Sequence, residues 1–404
     1  MSTETNKAGF YRVAIILGLL SAIGPFAIDM YLPALPKIGQ TFNVGIQEVQ
    51  LSLTAFLIAQ SVSQLFYGPI SDKVGRKPPL YFGMAVFFLS TVGCVYAVSL
   101  DMLIVFRFLQ GIGAAAGIVV ARAVVRDLYT GVEATKMMSL LMLVFGVSPI
   151  LAPLVGSSVI ALSGWRSVFT IIAICAGLGL VLIYFGLKES YPKVKRDATP
   201  HQGSTLNAYL ILLNDPKYMG IVLASSFALA NFFVYLANSP FVLIEHYNLT
   251  ETQYGIAFGL NAAVFFFSAQ MNARLCQRFG IETIIKFGIW TSTLTMSAMA
   301  FGYLAGIDSL FFFMGLYMIA SGAVALVIPT TSILAMESHG HIAGTASALL
   351  GTLQIAVGPT FVALLGPYMN EEPLPMILAM TFCSLVSLIF VMLTLTRKSQ
   401  LVKA

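Results

Sequence analysis

The chain has 404 residues, of which 58% are hydrophobic and only 10% charged, with a mean hydropathy of +0.88. A soluble domain carries about 25% charged residues, so this composition excludes an ordinary water-soluble globule and points to repeated crossing of a bilayer. The net charge of +5 is no sign of a nucleic-acid partner, because the basic residues gather in loops expected on one side of the membrane. Cys94, Cys175, Cys276 and Cys383 are scattered through apolar segments, with neither metal-ligand spacing nor a disulfide framework.

A hydrocarbon core about 30 Å thick is crossed by about 20 apolar helical residues. Such runs are predicted near 13–35, 49–70, 79–98, 102–124, 136–161 and 165–187. They resume near 218–243, 252–274, 283–304, 309–334, 342–367 and 374–396. No small-residue cleavage site closes the first run, so it reads as a retained helix rather than a signal segment. Barrel strands would be half as long and alternate in polarity, so the spans are helices. The expected fold is an all-α polytopic membrane protein with twelve transmembrane helices in two six-helix bundles. Residues 1–187 form the first bundle, 188–217 a cytoplasmic linker with Pro192, Pro200 and Gly203, and 218–404 the second bundle.

Orientation follows from Lys and Arg. With both termini in the cytoplasm, Lys73, Arg76, Lys77, Arg126, Lys136, Lys188, Arg274 and Arg278 lie inside. Glu245, Glu251, Asp308, Glu371 and Glu372 then lie outside. Traces of repetition support a duplicated architecture. Pro149 and Gly156 in the fifth run match Pro359 and Gly366 in the eleventh. The segment from Ser71 to Gly75 resembles that from Cys276 to Gly280, and Asp101 has a counterpart in Asp308.

Charges within apolar spans cost about 2.5–3.5 kcal/mol each on insertion scales, which makes them the first functional candidates. Asp29 lies about 24 Å along the first helix, and Arg107 about 8 Å into the fourth from the opposite side. The two depths nearly coincide. They are expected to share a cavity in which Arg107 favours the ionised carboxylate and Asp29 carries the proton. The bland reading places Asp29 at the outer interface, with Pro33 ending the helix. A second group, comprising Asp72, Arg76, Arg122, Arg126 and Asp127, sits at the cytoplasmic boundary. It reads either as topogenic charge or, for Asp72 and Arg76, as a gate latch of ion pairs.

Gly146, Pro149, Pro153 and Gly156 in the fifth helix serve packing or a hinge, as do Gly111, Gly113 and Gly117 in the fourth. In the second half, Asn231, Asn238, Asn261 and Gln270 are buried-amide candidates that need partners. Tyr235, Phe265 and neighbouring aromatics either line an apolar cavity or pack on lipid and helices. Asn238 stands near the position equivalent to Asp29, which confines acid-base chemistry to the first half. His246 and the His339/His341 pair lie at loop edges and are not assigned a proton-carrying role.

The segment Gly68-Pro-Ile-Ser-Asp72-Lys-Val-Gly75-Arg76-Lys77 resembles the loop motif between helices two and three of the major facilitator superfamily. Arg107-Phe-Leu-Gln110-Gly111-Ile-Gly113 is similar to that superfamily's fourth-helix motif, and the Gly146 to Gly156 pattern looks like the fifth-helix antiporter motif. Asp29-Met-Tyr31-Leu-Pro33-Ala-Leu-Pro36 resembles the Bcr/CflA group of the drug:proton antiporter branch. The resemblance spans essentially the whole chain. It implies export of small hydrophobic or amphiphilic antibiotics, of phenicol or bicyclomycin type, in exchange for protons.

On that resemblance, substrate is expected to meet Asp29, Tyr31, Arg107, Gln110, Asn231, Tyr235, Asn238, Asn261 and Phe265. The cytoplasmic gate is expected at Gly68, Asp72, Gly75, Arg76, Arg126 and Asp127. The transporter would be a monomer in a bacterial inner membrane, driven by the proton gradient without cofactor or metal. Some related antiporters carry a second acid where this chain has Ser21, which leaves the handling of cationic drugs open. An exporter of an endogenous metabolite on the same fold is the alternative. A membrane enzyme would need a concentrated catalytic set, and none is present at depth.

Overall fold

The computed structural model describes residues 2–129, 131–191, 205–337 and 342–395. Among these, all regular structure is helical, and the chain divides into two compact units, Met1–His201 and Gln202–Ala404. The first holds α1 (Ser2–Asp29), α2 (Leu35–Phe42), α3 (Ile46–Val74), α4 (Lys77–Val95), α5 (Leu100–Leu128), α6 (Gly131–Ser163) and α7 (Arg166–Gly186). The second holds α8 (Thr205–Leu213), α9 (Pro216–Pro240), α10 (Glu251–Phe279), α11 (Ile281–Leu304), α12 (Leu310–Glu337), α13 (Ala343–Leu365) and α14 (Pro373–Leu395). Helix α8 occupies part of the expected linker. Residues 192–204, with the linker prolines, and the His339/His341 pair lie outside the described residues.

Among the described residues, eleven helical segments are long and apolar enough to cross a membrane. The remaining predicted span, the ninth in chain order, is α11, a 24-residue helix rich in Ser and Thr. Its hydroxyls face a neighbour rather than hydrocarbon: Thr293 Oγ1 donates to Ser384 O at 3.1 Å, and Ser292 Oγ lies 3.4 Å from Ser384 Oγ. Packing of α11 on α14 satisfies polar groups that depress its hydropathy.

The duplication is written in the helix pairings. In the first unit the main pairs are α3 with α5, α4 with α5, α4 with α7, and α1 with each of α5, α6 and α7. The second unit repeats them in the same order: α10 with α12, α11 with α12, α11 with α14, and α9 with each of α12, α13 and α14. Backbone specials repeat as well. Gly75 and Gly280 end α3 and α10 at φ 99° and 84°, and Asn43 and Asn248 adopt φ 54° and 55° in corresponding loops. Only glycine reaches the first pair of conformations without strain, and Asn tolerates the second better than most residues.

The first span departs from expectation in one respect. The apolar helical segment does not end near 35 but runs from Phe10 to Phe42, broken after Asp29. Pro33 opens a 3₁₀ turn, Leu32–Ala34, and Pro36 opens α2. Each proline lacks the N–H that a continuous helix needs. The break is buried: Met30, Tyr31, Leu32, Ala34 and Leu35 are at most 2% exposed. Asp29 is therefore a buried residue at the end of α1, immediately before the break.

Helix α6 packs against both α1 and the 3₁₀ turn. A Cβ on Gly156 would lie 2.4 Å from Met30 O, a backbone atom that cannot swing aside. Gly156→Ala should therefore lower the thermal midpoint in detergent, by an overpacking cost of about 1–3 kcal/mol. Gly68→Ala, whose Cβ would meet nothing within 4 Å, should not lower it.

Candidate functional site

The break in α1 creates the site. A continuous helix would bond Tyr31 N–H to Ala27 O. Instead Tyr31 N–H donates to Ile28 O at 3.1 Å, and Ala27 O is left for another donor. Arg107 on α5 supplies it, with Nη1 at 3.2 Å. The same Nη1 donates to Gln110 Oε1 at 2.5 Å, and Gln110 Nε2 donates to Thr91 Oγ1 at 2.7 Å. Arg107 and Gln110 are one helical turn apart, so a single face of α5 carries both.

The Arg107 side chain is fully buried. Its guanidinium lies 4.5 Å from the Tyr31 ring centre, 4.4 Å from Phe56 and 5.9 Å from Phe169. Tyr31 is fixed in turn: Ser52 Oγ donates to Val49 O, so the Tyr31 hydroxyl donates to Ser52 Oγ at 2.6 Å. Nε and Nη2 of Arg107 have no hydrogen-bond partner among the described residues. Cation–π contacts supply about 0.5–2 kcal/mol each, while each buried unmet donor costs about 1–3 kcal/mol or more when charged. The cage holds the cation but leaves two donors seeking an acceptor.

Asp29, 5% exposed, makes no hydrogen bond or ion pair among the described residues. The expected pairing with Arg107 is thus corrected: the guanidinium takes the carbonyl two residues earlier, because the 3₁₀ turn frees that oxygen. Ser21 is a packing residue, its Oγ donating to Gly117 O at 3.3 Å where α1 crosses α5. Gly156 belongs to this site through its contact with Met30. Gly146, Pro149 and Pro153 lie along α6, which stays one helix through both prolines.

Asp72, Gly75, Arg76 and Asp127, four of the six residues expected at a cytoplasmic gate, converge at the turn between α3 and α4. Arg76 is 4% exposed and grips Asp127 with Nε at 2.7 Å and Nη2 at 3.2 Å, while Nη1 donates to Asp72 at 2.6 Å and Ser71 Oγ at 2.8 Å. Burial alone would lower the pKa of this guanidinium, but hydrogen bonds and charge from Asp127 and Asp72 raise it above its ordinary value. Gly75 makes the turn at positive φ. Arg122 and Arg126 remain exposed, with no ion pair among the described residues.

Sequence reading missed the other wall of this latch. Glu189 accepts from the backbone N–H of Arg76 at 2.9 Å and of Lys77 at 3.0 Å, which caps α4 with a carboxylate where its first turn needs acceptors. Ser190 Oγ donates to Asp127 at 3.1 Å, and the Tyr191 ring lies 4.7 Å from the Arg76 guanidinium. The available signal was Glu189-Ser190-Tyr191 standing directly after an apolar run, within reach of a Pro-rich helix start.

In the second unit, Tyr235 stacks on Tyr317 at 3.9 Å and faces Phe258 at 5.8 Å. Asn261 accepts from Ser321 Oγ at 2.6 Å. Phe313, Tyr317 and Ser321 recur every fourth residue of α12, so one stripe meets Tyr235 and Asn261. Tyr317 was not singled out from the sequence. Asn231 is turned to packing, its amide donating to Met380 O at 3.2 Å and Ser384 Oγ at 2.9 Å on α14. Asn238 Nδ2 donates to Val234 O within α9 at 2.8 Å, and Phe265 leans on Phe232 at 6.0 Å.

Asp127 is 13% exposed and Asp72 60%. Asp127→Ala strands a buried guanidinium and should cost about 3–5 kcal/mol, whereas Asp72→Ala should cost under about 1 kcal/mol. Thermal unfolding of both variants in detergent checks this order; equal losses would mean that Asp127 is not the principal partner.

Comparison with known proteins agrees with this architecture. Residues 17–361 match the family model for the Major Facilitator Superfamily. The chain is 36% identical over 406 residues, 98% of its length and 99% of the relative's, to the "Uncharacterized MFS-type transporter YdgK" of Bacillus subtilis (strain 168). It is 29% identical over 383 residues, covering 93% and 94%, to the "Bicyclomycin resistance protein homolog" of Haemophilus influenzae. The crystal structure of a D-xylose-proton symporter superposes with a TM-score of 0.76 at 14% identity, covering 94% and 97%, a likeness of fold alone. The chain belongs to the Major Facilitator Superfamily and is a transporter rather than an enzyme.

Proposed function

We propose that the chain is a proton-coupled efflux antiporter for small hydrophobic or amphiphilic antibiotics of phenicol or bicyclomycin type. It works by alternating access, as a monomer in a bacterial inner membrane with both termini in the cytoplasm, and it draws on the proton gradient without a cofactor. The observation that carries this reading is Asp29, a buried carboxylate with no partner among the described residues, at the break of the first apolar helix. A charge there costs about 2.5–3.5 kcal/mol on insertion scales, so gain or loss of its proton changes the free energy of any state that exposes it. The caged Arg107 nearby has two donors unmet, suited to a neutral drug with carbonyl or hydroxyl acceptors. Loss of the Asp29 proton to the cytoplasm and capture of drug would compete within one cavity, which enforces exchange. A relative bearing the name of bicyclomycin resistance supports the substrate class.

The test uses proteoliposomes that enclose a pH dye. Adding a phenicol should drive proton movement, and Asp29→Asn should abolish it, by at least about tenfold, while the protein keeps its thermal midpoint. Full drug-driven flux in that variant would refute the assignment. No flux with a panel of drugs, from folded and inserted protein, would favour export of an endogenous metabolite. Arg107→Lys keeps the charge but loses the flat guanidinium that stacks on the rings. That variant should need several-fold more drug for half-maximal flux, read in the same assay.

A further inference from the structure

His246 is read from the sequence as a loop-edge residue, yet it lies at the centre of a cluster that joins three loops of the second unit. It ends the π-turn Phe241–His246 that follows α9. Its Nε2 lies 2.9 Å from Asp308 Oδ2 in the loop between α11 and α12, and its Nδ1 lies 3.8 Å from Glu372 Oε2 in the loop between α13 and α14. Tyr303, at the end of α11, donates its hydroxyl to the same Glu372 Oε2 at 3.2 Å. The Tyr247 ring packs edge-on against the imidazole at 4.7 Å, with its hydroxyl beside Asp308. Glu245 and Glu371 add negative charge in the same loops. Among the described residues, no Lys or Arg pairs with either Asp308 or Glu372.

The chemistry of this arrangement depends on one proton. A neutral imidazole has a single N–H. With that hydrogen on Nε2 and donated to Asp308, the Nδ1 lone pair faces a carboxylate oxygen, acceptor toward acceptor. A second hydrogen on Nδ1 turns that repulsion into attraction and joins the third loop to the other two. Histidine is the side chain suited to such a change between about pH 5 and 8.

The first unit closes the corresponding loops differently. Trp165 Nε1 donates to Thr41 Oγ1 at 3.2 Å, and Arg166 Nη2 donates to Ala97 O at 3.0 Å. Neither tie gains or loses a proton in this range. The duplicated bundles thus close corresponding loops with an indole and a guanidinium in one copy and with an imidazole between two carboxylates in the other.

We propose that His246, Asp308 and Glu372 form a proton-binding site whose occupation draws the three loops of the second unit together and whose emptying releases them. The site stands apart from the Asp29 chemistry and does not rest on the antiport reading.

The test compares the full-length wild type with His246→Gln in detergent at pH 5.5, 6.5 and 7.5. The wild-type thermal midpoint should fall across this range by about 2–4 °C more than that of the variant, the shift expected for about 1 kcal/mol in a domain of this size. Hydrogen exchange in 305–309 and 369–372, corrected for the intrinsic pH dependence, should accelerate with pH in the wild type alone. The Asp29→Asn variant should keep the wild-type response, so failure of the antiport reading leaves this result unaffected. Should His246→Gln not fold, Glu372→Gln serves: it keeps the bond to Asp308, removes the second charge, and should flatten the response. An unchanged pH response in whichever variant is folded overturns the proposal.

Discussion

The first unit is organised around a missing hydrogen bond. Ahead of Pro33 and Pro36 the chain tightens, Tyr31 N–H turns to Ile28 O, and Ala27 O loses its helical partner. A buried carbonyl must find a donor, and Arg107 is the donor that reaches it. That bond fixes the guanidinium among Tyr31, Phe56 and Phe169, and Gln110 and Thr91 extend the network to α4. Gly156 allows α6 to close on the broken segment. An unbroken α1 would satisfy Ala27 O internally, leave Arg107 without that acceptor, and place Tyr31 on another face.

Around this constraint the two units share a scaffold and differ in chemistry. Both use the same helix pairings and the same positive-φ glycine and asparagine. Yet the buried charged residues, Asp29, Arg76 and Arg107, all belong to the first unit. Where the first has Asp72 and Arg76 around its glycine turn, the second has Gln277 and Ile281. Buried polar groups of the second unit are neutral and mostly pair within its own helices, as Asn231 does with α14 and Asn261 with α12. Duplication preserved what packing requires and left the expensive charges in one copy.

The latch shows how such charges are made tolerable. Arg76 has four acceptor residues, Ser71 and Asp72 from α3, Asp127 from the end of α5 and Glu189 from the chain after α7, so its desolvation is offset by several charge-assisted bonds. Its backbone N–H is used as well as its side chain. The strand of chain from Glu189 to Tyr191 therefore anchors the segment leading out of the first unit to the turn that carries the gate motif.

The sequence by itself determined the class of fold, because hydropathy summed over about twenty residues is a local quantity that tertiary contacts barely alter. It also singled out Asp29, Arg107, Asp72 and Arg76, since charge in apolar surroundings is visible in one dimension. Only the tertiary structure decided what each residue does with its hydrogen bonds. The partners of Arg107, Asn231, Glu189 and His246 lie 80, 149, 113 and 62 residues away, and no periodicity encodes such pairings. Pro33 in the sequence suggested an end to the first helix. The structure ends α1 at Asp29 and carries the chain on through a 3₁₀ turn into α2, where Leu35 and Ile38 are buried and their burial offsets the lost backbone bonds.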